Sequence, residues 1–404
     1  MFAVNEYNWP IVSDKNEHID DILYRFNPWW DSSFALDIID RPVYTQLWRE
    51  YWAQGAVVFV TGLRRIGKTM LMKQWIKQLL ADGVDKKTIL YISLDHISLA
   101  KTSIHDLVDR FRALHTLRYE QPLYLFLDEI TYIKDFTQEL KNLYDLQSVQ
   151  MVVSSSSASL LRDHRAFLTG RERLIDVMPL TFSEYLLFTD QKPKGAEGYL
   201  WEATFELYMQ TGGIPAYVLN RDEGYLQSLV DNILYKDILA HYGLKDERLV
   251  QDFFALLMER AGKTVSINKL AKVLQISTDT ASRYLQYFES TFLIYTIERF
   301  GTTNERIRSP RKLYAGDVGI RNLVCGFRDK GAIFENLVYL TIKKQDPRYV
   351  YENANEIDFL TKEDRLIEVK YGRELEGSQK ALFDSYPASS RLLVGNVADF
   401  KALS

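Results

Sequence analysis

The chain has 404 residues, 47% hydrophobic and 26% charged, a composition that suits a folded protein of two to four domains. Its 50 basic and 54 acidic side chains leave a net charge of −4, which neither demands nor forbids a nucleic-acid partner. The single cysteine, Cys325, excludes an intramolecular disulfide and a cysteine-based zinc site. No apolar run is long enough to span a membrane, and Met1-Phe2-Ala3-Val4-Asn5-Glu6 lacks a signal peptide's basic start, so a cytoplasmic protein with no membrane partner is expected.

Residues 1 to 50 form an aromatic-rich arm with Tyr7, Trp9, Tyr24, Phe26, Trp29, Trp30 and Phe34. Rings of this kind are expected to pack the arm onto the neighbouring domain, in preference to stacking on a nucleobase. Arg41 to Trp52 reads as a helix. Then Ala56 to Val60 reads as a strand, followed by Gly62-Leu63-Arg64-Arg65-Ile66-Gly67-Lys68-Thr69 and a helix from Met70. This is the G-x-x-x-x-G-K-[ST] pattern between strand and helix. Its glycines let backbone N–H groups close around a polyphosphate, and the helix start favours negative charge. Residues Gly62 through Met70 are the expected nucleotide cradle. Lys68 would reach the β- and γ-phosphates and Thr69 would hold Mg²⁺.

A strand over Thr88 to Asp95 and a helix over Ser103 to Leu117 lead to the apolar run Leu123 to Leu127, which suits a parallel strand buried on both faces. Asp128 and Glu129 lie at its C-terminal end, where such sheets place ligands. Asp128 would join the Mg²⁺ shell, and Glu129 would orient the attacking water and take its proton. The next strand, Val149 to Val153, ends in Ser154-Ser155-Ser156-Ser157. Those serines either reach the γ-phosphate or cap a helix over Ala158 to Leu161. Arg171, ahead of a strand over Arg173 to Val177, is either a surface charge or an arginine finger.

The succession of P-loop, Asp-Glu strand, serine-tipped strand and Gly170-Arg171 resembles AAA+ ATPases. With Asn27-Pro28-Trp29-Trp30, Pro179 to Tyr185 and Gly212-Gly213-Ile214-Pro215, the chain is similar to archaeal and bacterial AAA+ ATPases that carry a nuclease-like C-terminal domain. The resemblance implies an α/β core over 51–180, a helical lid over 181–248, a winged helix over 249–325 and a small α/β domain over 326–404. It also implies ATP as the nucleotide, a sensor position within Ser154 to Ser156, and Arg171 acting in trans within a homo-oligomer. The Gly-Gly-x-Pro break would be the lid hinge. Arg221 and Arg248 stand equally as second-sensor candidates.

Gln251 to Leu313 carries ten basic and six acidic residues, a local +4 that leaves −8 elsewhere. Helices over Phe253–Arg260, Ser266–Leu274 and Ala281–Ser290, then a strand over Phe292–Phe300, have the rhythm of a winged helix. Ser282, Arg283 and Gln286 would face a DNA major groove. Arg306, Arg308 and Arg311, on a wing over Gly301 to Arg311, would meet phosphates. The alternative is a winged helix used for packing or subunit contacts.

Farther on, a helix over Ala332 to Leu340 bears Glu335, and Asn355–Leu360 with Arg365–Lys370 reads as an antiparallel strand pair. Alternation puts Glu368 and Lys370 on one face, where Asp358 can join them. Such a group can hold Mg²⁺ or Mn²⁺ and activate a water. The D-x₉-E-x-K spacing resembles the PD-(D/E)xK nuclease fold, which implies Glu335, Asp358 and Glu368 as metal ligands and Lys370 as a catalytic residue. The alternative is a surface hairpin with ordinary charges. Two functions are expected: an ATPase acting on nucleic acid with a metal-dependent nuclease tail, or a nucleotide-dependent switch whose C-terminal parts bind without cutting.

Overall fold

A computed structural model describes residues 19–31, 36, 38–146, 148–157, 170–191 and 198–403. Tyr7, Trp9, Phe34 and the expected helix over Ala158 to Leu161 lie outside the described residues.

Five parallel strands form the N-terminal sheet: β1 (Val57–Thr61), β2 (Ile89–Ser93), β3 (Leu123–Asp128), β4 (Val149–Ser155) and β5 (Glu172–Asp176), in the order β2-β3-β4-β1-β5. The inner strands β1 and β3 read as nearly continuous apolar runs, as strands buried on both faces do; every residue of β1 is buried. The helices Lys68–Ala81, Ile104–His115 and Phe136–Leu146 make the crossovers. The register aligns Val60 with Ser154 and Ser93 with Asp128, so the strand ends that carry polar residues lie together.

The arm closes the open edge of β2. The side chain of Asn27 accepts from the Tyr91 N–H at 2.6 Å and donates to the Tyr91 carbonyl at 2.9 Å, as a neighbouring strand would. Trp30 Nε1 donates to the Ile89 carbonyl at 2.9 Å, and the Trp30 ring stacks on Phe111 with centroids 5.3 Å apart. Trp29 and Trp30 are therefore packing residues.

The segment after β5 is helical, as expected: Phe182–Phe188, Gly198–Thr211, Pro215–Asn220, Glu223–Asn232 and a π-helical stretch Ile233–Ala240. The Gly-Gly-x-Pro break between them, the expected hinge, is closely packed and bonded on both sides. Gly212 has φ +74°, and a Cβ there would fall 2.4 Å from Asp317 Oδ1. The Gly213 N–H donates to Asp317 Oδ2 at 2.7 Å while its carbonyl accepts from the Leu180 N–H at 2.8 Å.

Next come the helices Glu247–Glu259, Ile267–Leu274 and Thr278–Ser290, with the antiparallel sheet β6 (Lys263–Val265), β7 (Ile294–Ile297) and β8 (Arg311–Ala315) in the order β6-β8-β7. The expected wing is partly helical. Thr302 and Glu305 form a capping box that starts the helix Thr303–Arg308.

After the helices Val318–Cys325 and Lys330–Ile342, the last sheet contains β9 (Arg348–Glu352), β10 (Asn355–Leu360), β11 (Arg365–Val369) and β12 (Ser390–Val394), ordered β12-β11-β10-β9. The expected antiparallel pair is β10 with β11, Phe359 lying opposite Ile367. One apolar cluster runs from Phe182 and Phe205 through Tyr314 to Phe334, Phe359 and Phe400, so the lid-like helices, β8 and the C-terminal sheet share a core.

Candidate nucleotide site and acidic cluster

At the ends of β1, β3 and β4 the polar residues form one connected network. Thr69 Oγ1 donates to Asp128 Oδ2 at 2.6 Å, and Tyr91 OH donates to the same oxygen at 2.8 Å. Ser154 Oγ donates to Asp128 Oδ1 and accepts from the Glu129 N–H at 2.9 Å. Ser156 Oγ donates to Glu129 Oε2 at 3.2 Å. Glu129 adopts φ +53°, a left-handed conformation that a non-glycine residue holds only when its surroundings impose it. Burial pushes its carboxyl above the ordinary range, against the pull of Lys68.

The P-loop fits a polyphosphate. Gly67 has φ +103°, and nothing lies within 4 Å of where its Cβ would be, so the loop backbone is open to a close ligand. Lys68, 5% exposed, donates to the carbonyls of Gly62 at 3.0 Å and Leu63 at 3.1 Å. Burial lowers its pKa, opposed by Glu129 and Asp128. Met70 is exposed, on the first turn of the helix.

Two arginines of the loop turn to the helical region. Arg64 forms a two-point pair with Asp237, Nε to Oδ2 at 2.8 Å and Nη2 to Oδ1 at 2.6 Å. The Arg65 guanidinium lies 4.9 Å from the Tyr225 ring centroid. Arg171 is exposed, pairs with Asp145 of the same chain and lies over Tyr144. The second-sensor candidates bond elsewhere: Arg221 to Thr211 and Tyr185, while Arg248 has Asp252 at 3.9 Å. Tyr91 and Asp237 were not legible as site residues, because a tyrosine in a strand and an aspartate in a helix carry no local pattern.

On the helix Thr278–Ser290, Arg283 and Gln286 are exposed and Ser282 is half-buried. The wing arginines are largely matched by acids: Arg306 meets Glu298 at 3.0 Å, and Arg311 has Glu298 at 3.7 Å and Glu289 at 3.9 Å. Arg308 is exposed.

The structure brings Glu335, Asp358, Glu368 and Lys370 together. Asp358 N–H donates to Glu368 Oε2 at 3.1 Å, and Val369 N–H to Asp358 Oδ2 at 2.9 Å. Lys370 Nζ and Gln379 Nε2 donate to Glu368 Oε1 at 2.6 and 2.8 Å. A residue from outside the segment joins them. Lys312 of β8, 2% exposed, has Nζ 2.8 Å from Glu335 Oε1, 2.7 Å from Glu356 Oε1 and 2.7 Å from Asp358 Oδ1. Burial opposes its charge, but Asp358, Glu335 and Glu356 outweigh that and hold its pKa well above the ordinary value. Burial likewise raises the carboxyls of Glu335 and Glu368.

This arrangement does not fit the divalent cation expected on Glu335, Asp358 and Glu368. An ammonium already stands among the oxygens, and a metal there would meet it as a like charge. Among the described residues no group of three His, Cys, Asp or Glu is disposed to hold a metal ion.

Residues 54–186 match the family described as an AAA domain, and residues 202–331 match a domain of unknown function. An uncharacterized protein of Methanocaldococcus jannaschii is 27% identical over 354 residues, spanning 80% of this chain and 78% of its own. An uncharacterized protein of Haemophilus influenzae is 25% identical over 360 residues, spanning 84% of this chain and 88% of its own. Among solved structures, AMPPCP-bound DnaA from Aquifex aeolicus is similar at 14% identity and a TM-score of 0.31, covering 63% of this chain and 89% of that one. The S. cerevisiae Hsp104–ADP complex is similar at 14% identity and a TM-score of 0.34, covering 63% and 38%. The network of Thr69, Asp128, Glu129 and Ser154 lies wholly within the stretch that matches an AAA domain.

Proposed function

We propose that this protein binds and hydrolyses ATP and acts on nucleic acid, DNA in preference to RNA. The observation that carries the ATPase reading is the bonded set Thr69–Asp128–Ser154–Glu129 at the strand ends behind a P-loop. When bound, Mg-ATP would supply the scissile phosphoanhydride and a cation for its charge. The loop N–H groups and Lys68 would hold the phosphates, and Thr69 and Asp128 the Mg²⁺. Glu129, held by Ser156 and by its own N–H, would orient a water and accept its proton. Arg171, exposed and held at the surface by Asp145 and the Tyr144 ring, would reach a neighbouring subunit's nucleotide.

The nucleic-acid reading is supported by exposed Arg283 and Gln286 on the helix Thr278–Ser290, which would be the third helix of a winged helix. A second reading, a nucleotide-dependent switch whose C-terminal parts bind without cutting, is favoured by Lys312 among the acids and by the paired wing arginines.

Phosphate release from ATP by wild type and by Lys68→Ala tests the first part: turnover by wild type that the variant lacks is expected, and equal turnover would remove the P-loop assignment. Duplex DNA binding by wild type and by Arg283→Ala/Gln286→Ala tests the second. A DNA affinity that the double variant leaves unchanged would favour the switch.

A further inference from the structure

The acidic cluster of the C-terminal sheet is completed by a side chain from another sheet. β8 is the middle strand of β6-β8-β7, and alternation along it sends Lys312 and Tyr314 to the face opposite Leu313. Tyr314 stacks on Tyr339 with centroids 4.2 Å apart and donates to Glu335 Oε1 at 2.8 Å. Lys312, two residues earlier, ends among Glu335, Glu356 and Asp358.

An ammonium group has three N–H donors and no acceptor. Here three carboxyl oxygens from three residues lie within 2.8 Å of it, so each donor has an acceptor. The other oxygens of Asp358 and Glu368 are also engaged. Asp358 Oδ2 accepts from the Val369 N–H, and both Glu368 oxygens accept from Asp358 N–H, Lys370 or Gln379. A divalent cation of magnesium's size draws its oxygens to roughly 2.1 Å, closer than the 2.7 to 2.8 Å kept around Lys312, and it would need these same oxygens. Lys312 and a metal thus compete for one place.

We propose that Lys312 is a resident cation that takes the place of a divalent metal in this cluster. The C-terminal sheet is then a non-cleaving module, and the ion cluster fastens it to β8. Four carboxyl groups, those of Glu335, Glu356, Asp358 and Glu368, face two lysines, Lys312 and Lys370, so removing Lys312 widens the excess of acids over bases from two to three and empties the place among the oxygens that a cation can fill. The inference rests on the C-terminal geometry and deepens the switch reading; the ATP site does not enter it.

The test uses nucleotide-free full-length protein and Mn²⁺, with the free-ion electron paramagnetic resonance signal reporting bound metal. Wild type, Asp358→Asn, Lys312→Met and Lys312→Met/Glu368→Gln are titrated side by side, and a cooperative melt certifies each fold. Wild type is expected to bind no Mn²⁺ beyond what Asp358→Asn binds. Lys312→Met is expected to gain one Mn²⁺ per chain, which the double variant loses again. Uptake of an ion by wild type that Asp358→Asn abolishes would overturn the proposal, and that comparison stands even if Lys312→Met does not fold. A folded Lys312→Met protein that gains no ion would overturn it too. ATP turnover by the same wild-type sample reports on the P-loop separately.

Discussion

Arg64 of the P-loop and Asp237 of the π-helical stretch Ile233–Ala240 are joined at two points, with N–O distances of 2.8 and 2.6 Å. The pair is mostly buried, the side chains being 23% and 18% exposed, so it ties the phosphate loop to the helical region more firmly than a surface bridge would. Asp237→Ala would free a guanidinium beside the phosphate cradle. Fluorescent-nucleotide titration is expected to show binding tightened by roughly three- to tenfold, on the scale of about 1 kcal/mol for one charge near a phosphate. Weaker binding would mean that the pair orders the loop for its ligand.

Arg171 pairs with Asp145 in an exposed bridge worth at most about 1 kcal/mol, so the pair does not preclude its reaching another subunit. Arg171→Ala is expected to keep ATP binding and to lose about 10³-fold or more in turnover. Mixing it with Glu129→Gln, which retains the arginine, is expected to restore part of the activity. Full activity of Arg171→Ala alone would return this residue to the role of a surface charge.

Asn27 is fully buried and holds both main-chain groups of Tyr91 as well as the Leu23 carbonyl. Asn27→Ala would leave an N–H and a carbonyl unpaired at the edge of β2. Urea denaturation is expected to show a loss of about 2 to 4 kcal/mol, the cost of two buried groups left without partners. A loss under about 1 kcal/mol would indicate that water takes over the edge.

Asp317 is buried beneath the Gly212-Gly213 junction, and burial raises its pKa from an ordinary 3.8 to about 6, against the N–H groups of Gly213, Ile320 and Gly319 that favour the charged form. The folded chain therefore binds this proton more tightly than the unfolded chain. This contribution to stability is full below 3.8 and is lost as pH rises through about 6. The loss is about 3 kcal/mol at ~1.36 kcal/mol per pH unit. Asp317→Asn lacks the titration, so between about pH 4 and pH 7 wild type should lose about that much stability relative to it. A gap that stays constant with pH would contradict the assignment.

Much of the nucleotide site was legible in the order of residues. Gly62 to Thr69 is one uninterrupted pattern, and Asp128 and Glu129 end a run apolar enough to be an inner parallel strand. Strand ends on one side of a parallel sheet share an edge of the layer, which puts Ser154 and Asp128 on the same side; the pairing of β3 with β4 makes them neighbours. The helix Thr303–Arg308 was missed although its signal, Thr302 three residues ahead of Glu305, was present; arginines spaced along an expected wing pointed toward phosphate contacts instead.

The sequence by itself determined that the loop Gly62 to Thr69 follows one apolar strand and that Asp128 and Glu129 end another, and that Asp358, Glu368 and Lys370 share a face of a strand pair, because those relations follow from local pattern. Only tertiary structure decided what meets them. Lys312 lies 46 residues before Asp358, and nothing in Arg311-Lys312-Leu313-Tyr314 distinguishes a lysine bound for a carboxylate cluster from one bound for water. Alternation determines which face of β8 it takes, whereas the packing of two sheets around Tyr314, Tyr339 and Phe359 determines what that face meets.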